Sequence, residues 1–185
     1  MATIFFIIKC LYFFLPAYCA NMAAPLVMKI PAFDFLAKPV DGGKTVRGER
    51  IFGNHKSWRG VIFAMIAGIA VFGIQEWLYQ LPFFKNLSIL DYQQAGICLV
   101  GFLMPLATVV GDLGSAFAKR RLKLEPGAKF MPWDQTNYVI GNFIIVGPVL
   151  KLDLSVWLVL LVATFFLHII FNRIGYFFGL HGAKW

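Results

Sequence analysis

The chain is short of charge: Asp, Glu, Lys and Arg make up 14% of its 185 residues, against 59% apolar. Soluble domains average about 25% charged and roughly 45–50% apolar. In water this chain would expose large apolar patches. Acids are the scarcer sign, nine against seventeen Lys and Arg, leaving a net charge of +8. Three cysteines are too few for a disulfide scaffold, and the low charge excludes a disordered chain. Cys10, Cys19 and Cys98 lie in apolar runs without metal-ligand spacing, so packing is the expected role of each. Internal repeats and low-complexity segments are lacking too. What is present is a mean hydropathy of +0.73 and 17% aromatic residues, which point to a bilayer as solvent.

A hydrocarbon core about 30 Å thick takes roughly 20 apolar residues of helix. Five stretches meet or approach that length: about 2–21, 60–81, 92–111, 135–150 and 154–172. Outer-membrane strands would be about 10 residues long and alternate apolar with polar, which these runs do not. The reading is one all-α integral membrane domain over 1–185, with five transmembrane helices and two long cytoplasmic loops, 22–59 and 112–134. The fourth stretch is short and carries Gly141, Gly147 and Pro148, so a tilted or broken helix is expected there. Lys and Arg set the orientation, because cytoplasmic segments carry their excess. The two loops and the C-terminal tail hold fourteen of the seventeen; Lys85 and Lys151 lie on the opposite side and Lys9 within the first helix. The N-terminus is therefore predicted outside and the C-terminus in the cytoplasm. The first stretch lacks a basic leader and is read as a retained helix, not a cleaved signal peptide.

The positive-inside rule explains basic loops, but not their length or order. In the first, a pattern occurs twice: Gly43-Lys44-Thr45-x-Arg47-Gly48 and Lys56-Ser57-x-Arg59-Gly60. Glycine lets a ligand approach the backbone, while Lys, Arg and a hydroxyl supply donors, a composition suited to phosphate. Gly43-Lys44-Thr45 is not a Walker A loop, because Lys38 stands where its first glycine belongs and no strand-then-helix context follows. In the second loop, a helix continuing past Gly111 would set Asp112, Ser115, Lys119 and Lys123 on one face, with Arg120 and Arg121 beside them. That stripe suits a metal–nucleotide complex; the alternative is a basic helix lying on anionic lipid. Asp134 and Asn137 sit at the mouth of the fourth helix and Asp112 at that of the third. Two acids beside a basic loop suit Mg²⁺ completed by substrate phosphates, and at a membrane boundary unpaired carboxylates are costly. His168 and Asn172, four residues apart, and Asn21 are expected to bond between helices.

Taken together these motifs resemble the CDP-archaeol synthases, relatives of the phosphatidate cytidylyltransferases. The likeness runs through Pro16-Ala17-Tyr18-x-x-Asn21-x-x-x-Pro25, Pro39-x-Asp41 and Gly53-Asn54-His55-Lys56-Ser57-Trp58-Arg59-Gly60. It continues through Gly111-Asp112-x-x-Ser115-x-x-Lys119-Arg120-Arg121, Pro126-Gly127, Pro132, Asp134-Gln135, His168-x-x-x-Asn172-x-x-Gly175-Tyr176-x-x-Gly179-Leu180 and Trp185. It implies an enzyme that transfers CMP from CTP to a lipid glycerol phosphate, most closely unsaturated archaeol phosphate, releasing pyrophosphate with Mg²⁺. Asp112 and Asp134 are then the expected metal ligands and, with Lys119, the catalytic residues. Lys44, Arg47, Lys56, Ser57, Arg59, Ser115, Arg120, Arg121 and Asn137 are the expected binders of CTP and lipid phosphate. Asn137 departs from the related enzymes, which commonly have an acid there. The broken fourth helix is expected to leave a lateral opening for lipid tails. The expected partners are CTP, the lipid and the bilayer, with no nucleic acid. Diacylglycerol phosphate as substrate, a small transporter and a lipid-binding scaffold are the alternatives; the sequence sets no oligomeric state.

Overall fold

The computed structural model describes residues 2–125, 128 and 130–177, with backbone alone at 95–98 and 175. Pro126, Gly127, Lys129, Gly179, Leu180, Lys184 and Trp185 lie outside the described residues, as does the side chain of Cys98.

The first apolar stretch is two helices, α1 (Ala2–Phe13) and α2 (Leu15–Val27), bent by 50°. Pro16 causes the break: it has no N–H for the carbonyl of Tyr12. Gln75 Nε2 donates to that carbonyl instead, at 2.5 Å in a buried site. A proline in one helix and an amide in another thus lock the pair together. α2 runs beyond the expected end at 21, to Val27, and a 3-10 turn follows at Pro31–Leu36. Two short strands, β1 (Thr45–Val46) and β2 (Glu49–Arg50), pair antiparallel, with Thr45 opposite Arg50.

α3 (Trp58–Leu78) starts at Ser57, whose Oγ accepts the Gly60 N–H at 3.4 Å as a helix cap. After α4 (Pro82–Leu87), a third helical run begins with α5 (Tyr92–Ala95), passes a π turn at Gly96–Gly101, and becomes α6 (Phe102–Arg121). Pro105 follows that turn and removes another backbone donor, a common companion of such irregularities. The expected fourth helix is broken into α7 (Trp133–Ile145) and α8 (Gly147–Leu150), before α9 (Leu154–Phe177).

Among the described residues three helices are long and apolar enough to cross a membrane: α3, Leu99–Arg121 and Leu154–Ile174; the bent α1–α2 pair makes a fourth if it is one span. The molecule is thus an all-α multi-pass membrane protein apart from the hairpin. α7, with 13 residues, is about 20 Å long and too short for the test. It lies inside the protein, burying Gln135, Thr136, Asn137 and Asn142. α3 and α9 are buried over 22% of their apolar windows and α6 over 44%, which makes α6 the central span. Lipid-facing residues such as Ile66, Ile74, Trp77, Val162 and Phe166 are exposed. The core is aromatic: Phe13 meets Trp157 edge-on at 6.3 Å and Phe14 stacks on Tyr138 at 6.0 Å. Cys10 is buried in it and Cys19 is half-buried, both free thiols as packing requires.

α6 and α7 touch backbone to backbone. A Cβ on Gly111 would run into the carbonyl of Asn137, and one on Gly141 into the carbonyl of Ala107. The glycines therefore bring the two backbones into direct contact, as small residues do between membrane helices. Gly141→Ala is expected to destabilise by about 1–3 kcal/mol by overpacking, whereas Gly114→Ala, with nothing within 4 Å of the new Cβ, is expected to be neutral. Thermal unfolding of both variants in detergent checks the pair.

Candidate active site

The first loop is organised around Asp41, whose side chain is fully buried. Its carboxylate accepts the N–H groups of Gly43, Phe52 and Gly53 at 3.0–3.1 Å and both Nε and Nη2 of Arg50. Burial alone would raise its pKa; the Arg50 guanidinium and the three amides outweigh that and hold it well below the usual carboxylate range. The turn between the strands has positive φ at Arg47 (54°) and Gly48 (82°), the requirement of a tight hairpin, and leaves Lys44 and Arg47 exposed. Arg121 then grips this hairpin: it donates to the carbonyls of Val46, Glu49 and Arg50 while its guanidinium lies 5.1 Å over the Phe117 ring. Arg59 bonds Asp34 at 2.6 Å and the Met28 carbonyl at 3.2 Å. The two similar Lys–hydroxyl–Arg–Gly patterns therefore do different jobs, one forming a hairpin turn and the other the start of α3. Of the expected phosphate binders, Arg59 and Arg121 bond to groups of the first loop itself, while Ser57 caps α3 and also lines a cavity beside it.

The acids stand on the other side of this loop. α6 carries Asp112, Ser115 and Lys119 on one face as the spacing predicts. It ends at Arg121, two residues short of the stripe's last member: Lys123 has φ 55°, its N–H bonds Arg120 O and the Leu124 N–H bonds Lys119 O. This is a Schellman closure, and it takes Lys123 off the face. Lys56 reaches both oxygens of Asp112 at 2.6 and 2.7 Å. Lys119 reaches both of Asp134 at 2.8 and 3.2 Å, where Ser115 Oγ (3.3 Å) and the Phe130 N–H (3.1 Å) also donate. Arg120 bonds Leu124 O at 2.5 Å, and its Nε is buried without a partner.

Two cavities meet at these acids. One, of about 390 Å³, lies against the loops and is lined by Phe52, Ser115, Lys119 and Arg120. The other, of about 370 Å³, runs along α2, α3 and α6 past Ala20, Ala24, Ala64 and Val109. His55, Lys56, Asp112 and Asp134 line both. The second cavity also receives Asn21, Asn137 and, from α9, His168. His55 was given no site role by sequence reasoning; its signal there is its place in the motif Gly53-Asn54-His55-Lys56-Ser57-Trp58-Arg59-Gly60. His168 and Asn172, expected to bond between helices, bond each other along α9, Asn172 Nδ2 to His168 Nδ1 at 3.1 Å. A further apolar groove of about 500 Å³ follows the α6–α7 seam at Val110, Ile140, Ile144 and Trp133.

The donor set fits a hard divalent cation. Asp112 and Asp134 share both cavities, and the Asn137 Oδ1 beside them is buried without a hydrogen-bond partner. Among the described residues no group of three or more His, Cys, Asp and Glu forms, so ligands beyond these would be oxygens of substrate and water, the usual pattern for Mg²⁺.

The Asp41 clasp has a pH signature. A folded pKa lowered from an unfolded value of about 3.9 contributes stability that is complete above that value and lost as pH falls through the lowered one. Limited proteolysis of the 41–53 segment is therefore expected to stay constant from neutral pH down to about 5, and to accelerate in stronger acid. Asp41→Asn is expected to be cleaved fast at neutral pH, because Arg50 and three amides lose their anionic acceptor.

Comparison with known proteins agrees with this architecture. A family model for CDP-archaeol synthase (CarS-like) matches residues 3–185. The chain is 33% identical over 180 residues to the CDP-archaeol synthase of Pyrococcus furiosus, covering 97% of this chain and 98% of that one. It is 30% identical over 186 residues to that of Methanococcus aeolicus, covering all of both. A solved structure described as an intramembrane enzyme for archaeal membrane lipid biosynthesis superposes with TM-score 0.67 over 87% of this chain and 90% of that chain, at 24% identity, and so shares the fold. The chain belongs to the CDP-archaeol synthase family.

Proposed function

We infer that this membrane enzyme transfers CMP from CTP to archaeol phosphate, giving CDP-archaeol and pyrophosphate, and we propose how its residues divide the work. The observation that carries the reading is the shared wall: Asp112, Asp134, Lys56 and His55 separate a cation-lined cavity at the loops from an apolar cavity along the helices. A water-soluble triphosphate suits the first and a lipid phosphate the second, so their phosphates meet at the acids.

The lipid phosphate is its own nucleophile. One of its oxygens bonds to the α-phosphorus of CTP, the bond from that phosphorus to the bridging oxygen breaks, and the electron pair leaves on pyrophosphate. No side-chain nucleophile is needed; the protein supplies position and charge. Lys119 and Arg120 hold the triphosphate and Lys56 stands between the two phosphates. Lys44 and Arg47, exposed on the hairpin, attract the nucleotide electrostatically. Asp112 and Asp134 would hold Mg²⁺, which supplies neutralisation of the triphosphate charge. Ser115 and Asn137 orient ligands, while Ser57, Arg59 and Arg121 keep the loops in place.

We further propose that the chain is one membrane-embedded domain with five crossings, the bent α1–α2 pair being the first and α7–α8 the fourth. The N-terminus lies outside and the site faces the cytoplasm. The support is the placement of fourteen of seventeen Lys and Arg on one side under this count.

Purified protein with labelled CTP and Mg²⁺ is expected to form CDP-lipid from archaeol phosphate in preference to phosphatidic acid. Asp112→Asn and Asp134→Asn are each expected to lower the rate at least about 10²-fold, the scale of removing a preorganised charge. Turnover by both variants at the parent rate would sink the assignment.

A further inference from the structure

Two short elements stand at opposite ends of α3, and neither contains a buried residue. At its start, the 3-10 turn Pro31–Leu36 leaves Phe35 72% exposed, with Met28 and Ile30 exposed beside it. At its end, α4 leaves Phe83 72% exposed, with Leu81 exposed before it. In water each would be an uncovered apolar patch. Both are nevertheless clamped to the protein. Arg59, buried in the first turn of α3, donates to Asp34 at 2.6 Å and to the Met28 carbonyl at 3.2 Å, and Phe33 packs on Phe63 with ring centroids 4.5 Å apart. At the other end the Phe84 ring lies 6.1 Å from that of Tyr12, and Lys85 stands 5.5 Å over the Tyr79 ring.

α3 itself measures the distance between them. It carries a tryptophan near each end, Trp58 49% and Trp77 68% exposed. At about 1.5 Å of rise per residue they stand about 28 Å apart along the axis, close to the roughly 30 Å of a hydrocarbon core. Tryptophan, with an apolar ring and a polar N–H, collects at both faces of a bilayer. The ends of α3 thus mark the two interfaces, and each short element lies at one of them with its phenylalanine outward. The first turn of α3 also lines the apolar cavity, at Gly60 and Val61, together with Asp112 and Asp134. Lys56, just ahead of Trp58, bonds Asp112 at 2.6 Å. The acids therefore share a level with the tryptophan that marks the interface.

We propose that the Pro31–Leu36 turn and α4 are in-plane anchors whose partner is the interfacial layer of the bilayer, one in each leaflet, and that their grip holds Asp112 and Asp134 at the depth of the headgroup phosphates. The anchoring stands on exposure and spacing alone; its consequence for the acids rests on the CMP-transfer reading. Phe35 and Phe83 enter the boundary between headgroups and chains, as the apolar face of an interfacial helix does. Asp34 tolerates that depth because Arg59 neutralises it. A lipid phosphate then meets the nucleotide without leaving its leaflet. Of the stretch 22–59, residues 28–36 belong to the membrane surface.

The test uses the full chain in lipid nanodiscs, with trifluoromethyl-phenylalanine placed singly at position 35, 58 or 83. Mid-helix Phe166 serves as the deep reference and hairpin Val46 as the aqueous one. Fluorine-19 relaxation is read with a nitroxide at the lipid headgroup, a nitroxide at the chain end, and a water-soluble gadolinium chelate. The reporters at 35, 58 and 83 are expected to relax fastest with the headgroup nitroxide. Fastest relaxation by the chelate or the chain-end label at 35 or 83, or shielding from all three as in a contact with a second copy, would overturn the anchoring. For the acids, Phe35→Asp is compared with the parent, the side chain being exposed enough that thermal unfolding in detergent is expected to be unchanged. Its KM for archaeol phosphate is expected to rise about fivefold or more in nanodiscs and to match the parent in detergent micelles, with the KM for CTP within about twofold in both. An equal lipid KM in nanodiscs, or the same rise in micelles, would overturn the claim about depth. Failure of the parent to make CDP-archaeol would count against the reaction, and the fluorine measurement, which needs no turnover, still decides the anchors.

Discussion

Everything at this site depends on how closely α6 approaches α7. Gly111 and Gly141 bring two backbones within a distance that no Cβ would permit. The residue after Gly111 is Asp112, and the residue four before Gly141 is Asn137, so this contact sets the separation of the polar groups at the site. In a membrane the contact cannot come from a hydrophobic drive, because lipid tails are as apolar as leucine. Packing and buried hydrogen bonds supply it instead, as in the Asn142 bond to Thr108 Oγ1 at 3.0 Å.

Around that seam the cationic side chains separate into two populations. Arg50, Arg59 and Arg121 are spent on carbonyls and carboxylates of the first loop, and fold a polar segment that has no core of its own. Their planar, multiply donating heads suit this work. Lys56 and Lys119, compact point charges on flexible stems, are the ones paired with the acids that face both cavities. Among these five cations the division between arginine and lysine follows the chemistry of the two head groups.

Much of this was legible in the chain. Apolar run length located α3, the α6 run and α9, because a bilayer demands about 20 residues of helix whatever their order. Helical spacing placed Asp112, Ser115 and Lys119 on one face. The break in the fourth stretch was foreshadowed by Gly147 and Pro148. The bend at Pro16 was less so, since the partner that stabilises it, Gln75, is about sixty residues away. The paired patterns at Arg47-Gly48 and Arg59-Gly60 look alike in the sequence and take different structures for a related reason. A local motif records composition, whereas the turn and the helix start that use it are distinguished by backbone dihedrals and distant acceptors. Lys123 dropped from its face because a left-handed residue ended α6, and nothing in a Leu-Lys-Leu run announces that.

The sequence by itself determined the solvent, the helical class and the family, since each rests on composition, run length or residue order. Only the tertiary structure decided which cations bond to the loop and which face the cavities, that the same acids line two cavities, and that His168 lines one of them from α9. Those are distances between residues far apart in the chain. They are set by glycine contacts and hydrogen bonds whose two halves carry no mark of each other in the sequence.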